Sequence, residues 1–465
     1  MADDLRASLT EALPEQIAVG AGSAFYLEGT CETQRFAVAS LFVSVGENES
    51  KVVAHGMPPQ GAWRPLTHWW AVVRLAPVRD LCTASVALRA ELRDGTIKRA
   101  EVGEVKLLPG HPTGSAGADP ADGSQVAVAM ATYEPPPALF QRQIDSIRAQ
   151  THDDWTCVIS DDGSSEDSVA QMRAVLGDDP RFRLFPSQDR LGVYGNFERA
   201  LNLIPSEVGI CAFCDQDDYW YPRKLERLVA QLGPSVHLAY SDSRIVSTDG
   251  DLIADTYWTH RRNNYSDLGA LLLANTVTGA ASVFTRELLT HALPFPPRYR
   301  DAYHDHWMAL CALALGRVSY IDEPLYDYVQ HAEAVIGFEE ANLPGEKFRR
   351  RRVRHRAQNK GISIPHLVYS ALRRYYFSVW CQSMVWATAL EARCGAQMSS
   401  RNFRTVSRLS FENDHRLLLW LASRSLRPRL STSATFGRER YVLMALVWRR
   451  LVTAWAALTS RSAPG

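Results

Sequence analysis

The chain has 465 residues, 46% hydrophobic and 22% charged, with 51 basic and 51 acidic side chains and a formal net charge of zero. That length exceeds one typical core and predicts two or three domains of globular composition. Eight scattered cysteines exclude a disulfide framework, and the longest uncharged stretch, Tyr375 to Leu390, is too short and too polar for a membrane span.

From about Ala18 to Leu108 the pattern is all-β. Short alternating runs such as Phe36-Ala37-Val38-Ala39, Ala71-Val72-Val73-Arg74-Leu75 and Val86-Ala87-Leu88-Arg89-Ala90 are separated by turns such as Arg93-Asp94-Gly95. A β-sandwich-like accessory domain is expected over residues 1–108. Trp63, Trp69 and Trp70 could form a sugar-stacking platform, but tryptophans in a small sandwich are more often core. Residues 109–124, rich in Gly, Pro and Ala, cannot bury enough apolar area to pack and are expected to be a linker.

From Gln125 strands and helices alternate. Strands are predicted at Val126–Ala131, Trp155–Ser160, Phe182–Phe185 and Val208–Cys214. Helices are predicted around the Leu139, Phe140, Ile144, Ile147 stripe, over Val169–Leu176 and Asn196–Leu203, and from Pro222 with Leu225, Leu228, Val229 and Leu232 on one side. Such alternation predicts an α/β unit with a Rossmann-like, mostly parallel sheet. No Gly-x-Gly-x-x-Gly follows the first strand and no Lys-bearing phosphate loop occurs, which argues against dinucleotide dehydrogenases and P-loop ATPases. Cys211 and Cys214 have the spacing of a redox or zinc pair, yet side chains three apart in a strand point to opposite faces, so both are expected in the core.

Two of these strands end in acids. Asp161-Asp162 follow one, and Asp215-Gln216-Asp217-Asp218 follow another. Carboxylates clustered where a buried strand surfaces repel one another and are costly to hold without a cation. A hard, oxygen-ligated ion such as Mg²⁺ suits a site whose remaining ligands are substrate phosphates. Ligands of open α/β sheets bind beyond the carboxyl ends of the strands, so one metal-assisted site for a phosphorylated ligand is expected.

After about Ala341 the chain reads as helical and basic, with 23 Lys/Arg against 5 Asp/Glu; residues 1–340 carry 28 against 46. The run Arg349-Arg350-Arg351-Arg352-Val353-Arg354-His355-Arg356 leads into aromatic residues including Tyr375, Trp380, Trp386, Trp420, Trp448 and Trp455. No nucleic-acid-binding signature accompanies the charge. Basic clusters interleaved with Trp, Tyr and Leu fit an anionic membrane surface, with a solvated face as the plain alternative. The acidic start Met1-Ala2-Asp3-Asp4 lacks a secretory pattern, and the expected location is the cytoplasm, peripheral on the inner membrane face.

The block from Val126 to Gly337, a little under half of the chain, resembles the catalytic domain of glycosyltransferase family 2, of the GT-A fold, and in particular its rhamnosyltransferase-like branch. In order come Ala131-Thr132-Tyr133, Ser146-Ile147-Arg148-Ala149-Gln150, Ser160-Asp161-Asp162-Gly163-Ser164-Ser165, Asp215-Gln216-Asp217-Asp218, Thr278-Gly279, His304-Asp305-His306-Trp307 and Tyr328-Val329-Gln330-His331. The resemblance implies a GT-A domain over 125–340; the basic helical region read from the charge pattern then spans 341–465. It implies an inverting transfer from a dTDP- or UDP-linked sugar such as rhamnose to a glycan or lipid-linked glycan acceptor, with Mg²⁺ or Mn²⁺ as cofactor. Thr132, Tyr133, Glu134, Asp161, Asp162, Asp215 and Gln216 would then bind the donor, and Asp217 and His331 the metal. Asp305 would be the catalytic base, with Thr278, Gly279, His304 and Trp307 on the acceptor side. A homo-oligomer stays open.

The residues themselves keep plainer alternatives in view. Asp161-Asp162-Gly163-Ser164 also reads as a turn with a helix cap, the later acids as a solvated turn, and His304 and His306 as helix-start packing. Two positions depart from the branch: Val329 stands where Arg is common, and Glu134 where Asn is usual. A non-catalytic glycan-binding scaffold on a degenerate transferase domain is therefore the alternative function.

Overall fold

The structure, a computed structural model, describes residues 5–32, 38–52, 54–55, 68–110, 125–259, 261–300, 302–331, 364–410, 415–426 and 434–459. The N-terminal part builds two sheets. One has the order β1 (Arg6–Leu9), β3 (Ser23–Glu32), β7 (His68–Leu75), β6 (Ala54–His55); the other runs β2 (Gln16–Ala18), β9 (Ile97–Leu108), β8 (Cys82–Leu92), β4 (Val38–Val45), β5 (Asn48–Lys51). Strand alternation makes the core: Ala84, Val86, Leu88, Ala90 and Leu92 of β8 all face inward and meet Phe25, Leu27, Val73 and Leu75 from the other sheet. Gly95, at φ 85°, supplies the left-handed residue of the β8–β9 turn, where Thr96 N donates to Asp94 Oδ1 at 2.9 Å.

Trp69 is buried, and Trp70 packs edge-on against Tyr376 and Phe377 while its Nε1 donates to the Tyr376 hydroxyl at 3.3 Å. These two are therefore core rather than a sugar platform. Trp63, residues 111–124 of the expected linker, the Arg349–Arg356 run and the Trp455 side chain lie outside the described residues.

The α/β part is one sheet in the order β12 (Phe182–Pro186), β11 (Trp155–Asp161), β10 (Val126–Thr132), β13 (Ile210–Cys214), β17 (Ser282–Thr285), β15 (Val236–Ser247), β18 (Arg317–Gln330), β14 (Tyr219–Trp220), with β16 (Leu252–Ala254) paired to β15. The four strands from β12 to β13 are parallel, and β15 and β18 are parallel as well. The remaining pairs are antiparallel, so the second half of the sheet is mixed. The central strands are mainly apolar until their carboxyl ends because both faces are covered. Cys211 and Cys214 are buried free thiols there.

The covering helices are α1 (Pro137–Arg148), α2 (Glu166–Leu176), α3 (Gly192–Asn202), α4 (Lys224–Val229), α5 (Leu268–Leu273), α6 (Arg286–Ala292) and α7 (His304–Leu315). The stripe Leu139, Phe140, Ile144 and Ile147 of α1 is buried as its spacing predicts. Helix α4 begins at Lys224, two residues after Pro222, and ends before Leu232.

The C-terminal part does not stand apart. A π-helical turn, Tyr375–Trp380, runs into the helix Cys381–Cys394, and together they share one core with the α/β sheet. Trp386 stacks on Trp307 at 5.2 Å between ring centroids. The buried Arg393 guanidinium donates to the carbonyls of Gly22 and Val19 on one side and of His291 and Ala292 on the other. Three regions of sequence are thereby fastened by one cation. Among the described residues no helix is long and apolar enough to cross a membrane.

Candidate active site

The site is built where the parallel strands end. Register places Thr132 of β10 beside Asp161 of β11, and β13 on the other flank of β10 delivers Asp215 one residue after its last member. The two acidic strand ends therefore flank the same central strand.

At the first of them every carboxylate oxygen is already engaged. Asp161 Oδ1 accepts from Thr132 Oγ1 (3.2 Å) and Ser164 Oγ (2.5 Å), and its Oδ2 accepts from Ser164 N (3.0 Å). Asp162 Oδ1 and Oδ2 accept from Leu191 N (2.7 Å) and Gly192 N (2.8 Å), with the Arg199 guanidinium 3.7 Å away. Asp162 thus pins the start of α3. Helix α3 reaches back: Asn196 Nδ2 donates to the Thr132 and Ser160 carbonyls, and Arg199 donates to Ser160 Oγ, Asp161 O and Asn196 Oδ1. Thr132, Asp161 and Asp162 are buried in this network.

Tyr133 stays exposed, with the Arg190 guanidinium 3.7 Å over its ring. Its backbone exchanges two hydrogen bonds with the Gln216 amide: Tyr133 N donates to Oε1 (2.9 Å) and Nε2 donates to Tyr133 O (3.2 Å). Gln216 so ties the later acidic loop to the end of β10. Glu134 sits at φ 41°, a left-handed conformation that Asn adopts more readily. It is held there because its carboxylate accepts from Ser165 N (2.6 Å) and Ser165 Oγ (3.3 Å), while Glu134 N donates to Ser164 Oγ (2.8 Å). The carboxylate braces the start of α2.

The second acidic end has few donors. Asp217 Oδ2 lies 2.8 Å from His331 Nε2. Asp218 is fully buried; its Oδ1 accepts from Val329 N (3.1 Å), and its Oδ2 has no partner among the described residues. Burial raises the pKa of Asp215, and the charges of Asp217 and Asp305 push it further up. Asp218 is raised well above the carboxylate range by burial and by Asp217 and Asp215. One cation lies beneath them: Lys224 is buried, donates to Ala280 O, rests 3.6 Å over the Trp220 ring, and has its pKa lowered to about 7 chiefly by burial.

Asp305 opens α7. Its Oδ1 accepts from His306 N (2.6 Å) and Asn275 Nδ2 (3.1 Å), and its Oδ2 from Gly279 N (3.2 Å). Burial pushes its pKa up to about 6 although these hydrogen bonds pull the other way. A Cβ on Gly279 would lie 2.8 Å from His304 Nε2, so only glycine lets this segment approach. The field of Asp305 is felt by Asp215, Tyr257 and the buried Arg261, which donates to Asn275 O at 2.8 Å.

Two expected acceptor-side residues are core instead. His304 is stacked on Phe197 at 3.7 Å, its pKa lowered to about 3 by burial. Trp307 is fully buried on Trp386 with Nε1 donating to Ala292 O at 2.8 Å. His306 is also buried, bonded to Leu271 O at 2.7 Å, which matches helix-start packing. Val329 joins Leu139 and Val246 in a small apolar cluster, so at this position the chain serves the site through its backbone N–H. The structure therefore gathers Asp215, Asp217, Asp218, His331 and Asp305, and gives Thr132, Asp161, Asp162, Gln216 and Glu134 supporting contacts. Sequence reasoning missed Asn196, Arg199, Lys224, Arg261 and Asn275. Only Lys224 left a signal, a charge one helical turn before the buried Leu228.

Residues 127–291 match the model of the family "Glycosyl transferase family 2". An uncharacterized glycosyltransferase of Nostoc sp., alr2836, is 29% identical over 205 residues, 41% of this chain and 61% of that protein. The UDP-Glc:alpha-D-GlcNAc-diphosphoundecaprenol beta-1,3-glucosyltransferase WfgD of Escherichia coli is 23% identical over 189 residues, 40% of this chain and 69% of that protein. Among solved structures, the mannosyltransferase PcManGT of Pyrobaculum calidifontis, in complex with GDP-Man and Mn²⁺, aligns at 19% identity and a TM-score of 0.35, over 70% of this chain and 86% of that one.

Proposed function

We propose that this chain is an inverting, metal-dependent glycosyltransferase that moves a sugar from a nucleotide-diphospho-sugar to a hydroxyl of a cell-surface glycan or its lipid-linked precursor. The family match over 127–291 supports glycosyl transfer. The observation that carries the metal-dependent reading is the loop of Asp215, Asp217 and Asp218. There carboxylates converge with the orphaned Asp218 Oδ2, next to an Asp305 already aimed by three donors.

These oxygens, with His331, fit a hard divalent cation such as Mg²⁺ or Mn²⁺. Among the described residues no group of three His, Cys, Asp or Glu side chains is arranged to hold a metal, so this reading would need substrate phosphates and water to complete the shell. Asp217 and His331 would hold the ion, and when bound it would neutralise charge on the departing diphosphate.

The remaining chemistry belongs to this chain's side chains. Asp305 takes the proton of the acceptor hydroxyl as that oxygen bonds to the anomeric carbon. The bond from that carbon to the phosphate oxygen breaks, and its electron pair leaves with the nucleoside diphosphate. A base of pKa about 6 is ionised near neutrality yet basic enough to receive a proton. Tyr133 offers an exposed ring for the base, and Asp161, Asp162 and Thr132 set the shape of the nucleotide end from beneath. WfgD acts, by its name, on a diphosphoundecaprenol-linked sugar, which supports a lipid-linked acceptor and work at a membrane surface. Rhamnose as the sugar and a cytoplasmic, inner-face location are parts of the same reading.

A panel of nucleotide-sugars with Mn²⁺ or Mg²⁺, scored by released nucleoside diphosphate, tests it. One donor is expected to be consumed by the protein and spared by Asp305→Asn. A glycan-binding scaffold, suggested by the buried Val329 and the bracing Glu134, releases nothing from any donor.

A further inference from the structure

Away from the strand ends, a cavity of about 300 Å³ opens where the C-terminal helices Ser400–Ser410 and His415–Ser425 meet the start of α5. Its lining carries four guanidiniums, Arg401, Arg404, Arg408 and Arg424, beside the Trp420 ring and a single carboxylate, Asp267. Three of the arginines, at positions i, i+3 and i+7 of one helix, share a face, where like charges destabilise one another unless something anionic lies between them. Among the described residues none of those three forms an ion pair, and Asp267 Oδ2 is already taken by Arg424 at 2.7 Å. Arg424 has a side chain only 9% exposed; it lies 4.8 Å from the Trp420 ring, and its Nε sits 3.5 Å from Glu439 Oε1.

The cavity is also shaped rather than accidental. A Cβ on Gly269 would stand 2.7 Å from Trp420 Cζ2 and 3.2 Å from Thr405 Cγ2, so glycine is what lets the two helices seat this closely on α5. Asn402 ties the arginine helix to the end of α7 through the Leu313 carbonyl at 2.9 Å. On the same two helices, and just past the second, Phe403, Leu419 and Leu426 are exposed to solvent. Planar guanidiniums that converge on one space match phosphate oxygens, and exposed large apolar side chains beside them match a lipid surface.

We infer that this cavity binds a phosphate group carried by a membrane lipid and so holds the protein on an anionic bilayer. The inference rests on the membrane part of the proposed function but not on the identity of the donor sugar. It places the anchoring charge on a structured site rather than on the net charge of the C-terminal region.

The test is co-sedimentation of the full-length protein with phosphatidylglycerol-containing vesicles and with pure phosphatidylcholine vesicles. Three proteins are compared: the unaltered chain, Arg404→Gln/Arg408→Gln, and Arg93→Gln/Arg99→Gln, which removes the same charge from the N-terminal sheets. Retention on anionic vesicles is expected to fall about thirtyfold in the first double variant, to stay within about threefold of the unaltered chain in the second, and to be competed by inorganic pyrophosphate. Circular dichroism and the melting temperature establish that both variants are folded. If the unaltered chain ignores anionic vesicles, the membrane reading itself fails. If it binds them and both double variants bind equally well or equally poorly, that reading survives and the cavity assignment is overturned. Pyrophosphate binding without vesicle retention overturns the lipid as the source of the phosphate.

Discussion

The two acidic strand ends flanking β10 look alike in sequence and differ in what surrounds their oxygens. At Asp161-Asp162 each oxygen accepts a hydrogen bond from the protein, and Arg199 lies alongside. At Asp215, Asp217 and Asp218 the bonds from His331 and Val329 N leave Asp218 Oδ2 without a partner among the described residues, and burial, reinforced by mutual repulsion, pushes the pKa of Asp215 and Asp218 up. A carboxylate satisfied from within organises backbone, whereas one crowded by its own kind gains most from a cation. The first pair is a brace and the second an electrostatic deficit that a metal and phosphates can fill.

The largest expected effect lies at Asp305, whose charge acts on Asp215 of the second cluster. Asp305→Asn should lower kcat by about 10²- to 10⁴-fold while nucleotide affinity and the melting temperature stay close to those of the unaltered chain. Steady-state kinetics with a separate binding titration check this. In the unaltered enzyme the ionised base is the active form, so kcat/KM should fall about tenfold per pH unit below about 6 and level off above it. A flat profile between pH 5 and 7 would remove Asp305 from the role.

Next in size is a contrast in metal response. Mn²⁺ with a nucleoside diphosphate should raise the melting temperature of the unaltered protein and of Asp162→Asn, but not of Asp217→Ala. Without ligand the order should invert. Asp162→Asn leaves the Leu191 and Gly192 N–H groups poorly satisfied and should cost about 1–3 kcal/mol, read from denaturant unfolding. Asp217→Ala relieves repulsion on its neighbours and should cost little. Equal behaviour of the two variants would erase the distinction between brace and deficit.

The smallest effect belongs to Glu134→Asn. It relaxes a left-handed backbone but loses the bond to Ser165 N, and the two should leave stability within about 1 kcal/mol of the unaltered chain.

Strand ends and helix stripes were legible because period and burial go together: β10, β11 and β13 are apolar runs, and α1 buries the residues its spacing names. The acids were legible as chemistry, since a motif states which side chains reach a strand end. Which of them is satisfied was not, because the partners of Asp162 come from residues 191 and 192, and those of Asp305 from Asn275 and Gly279, at separations no local pattern encodes. Trp307 shows the reverse failure. It stands two residues from Asp305, yet helical geometry turns it into the core against Trp386. The C-terminal region was legible as basic and helical, while its sharing of a core with the α/β sheet depended on tertiary contacts such as that of Arg393.

Titrating UDP, dTDP and GDP into the unaltered chain, Asp217→Ala and Asp305→Asn, each with and without Mn²⁺, goes most directly to the central claim. One nucleotide should bind saturably to the unaltered chain and to Asp305→Asn only when Mn²⁺ is present, and should not bind Asp217→Ala. Binding that ignores Mn²⁺, or that survives intact in Asp217→Ala, would contradict a cation-centred site at the end of β13.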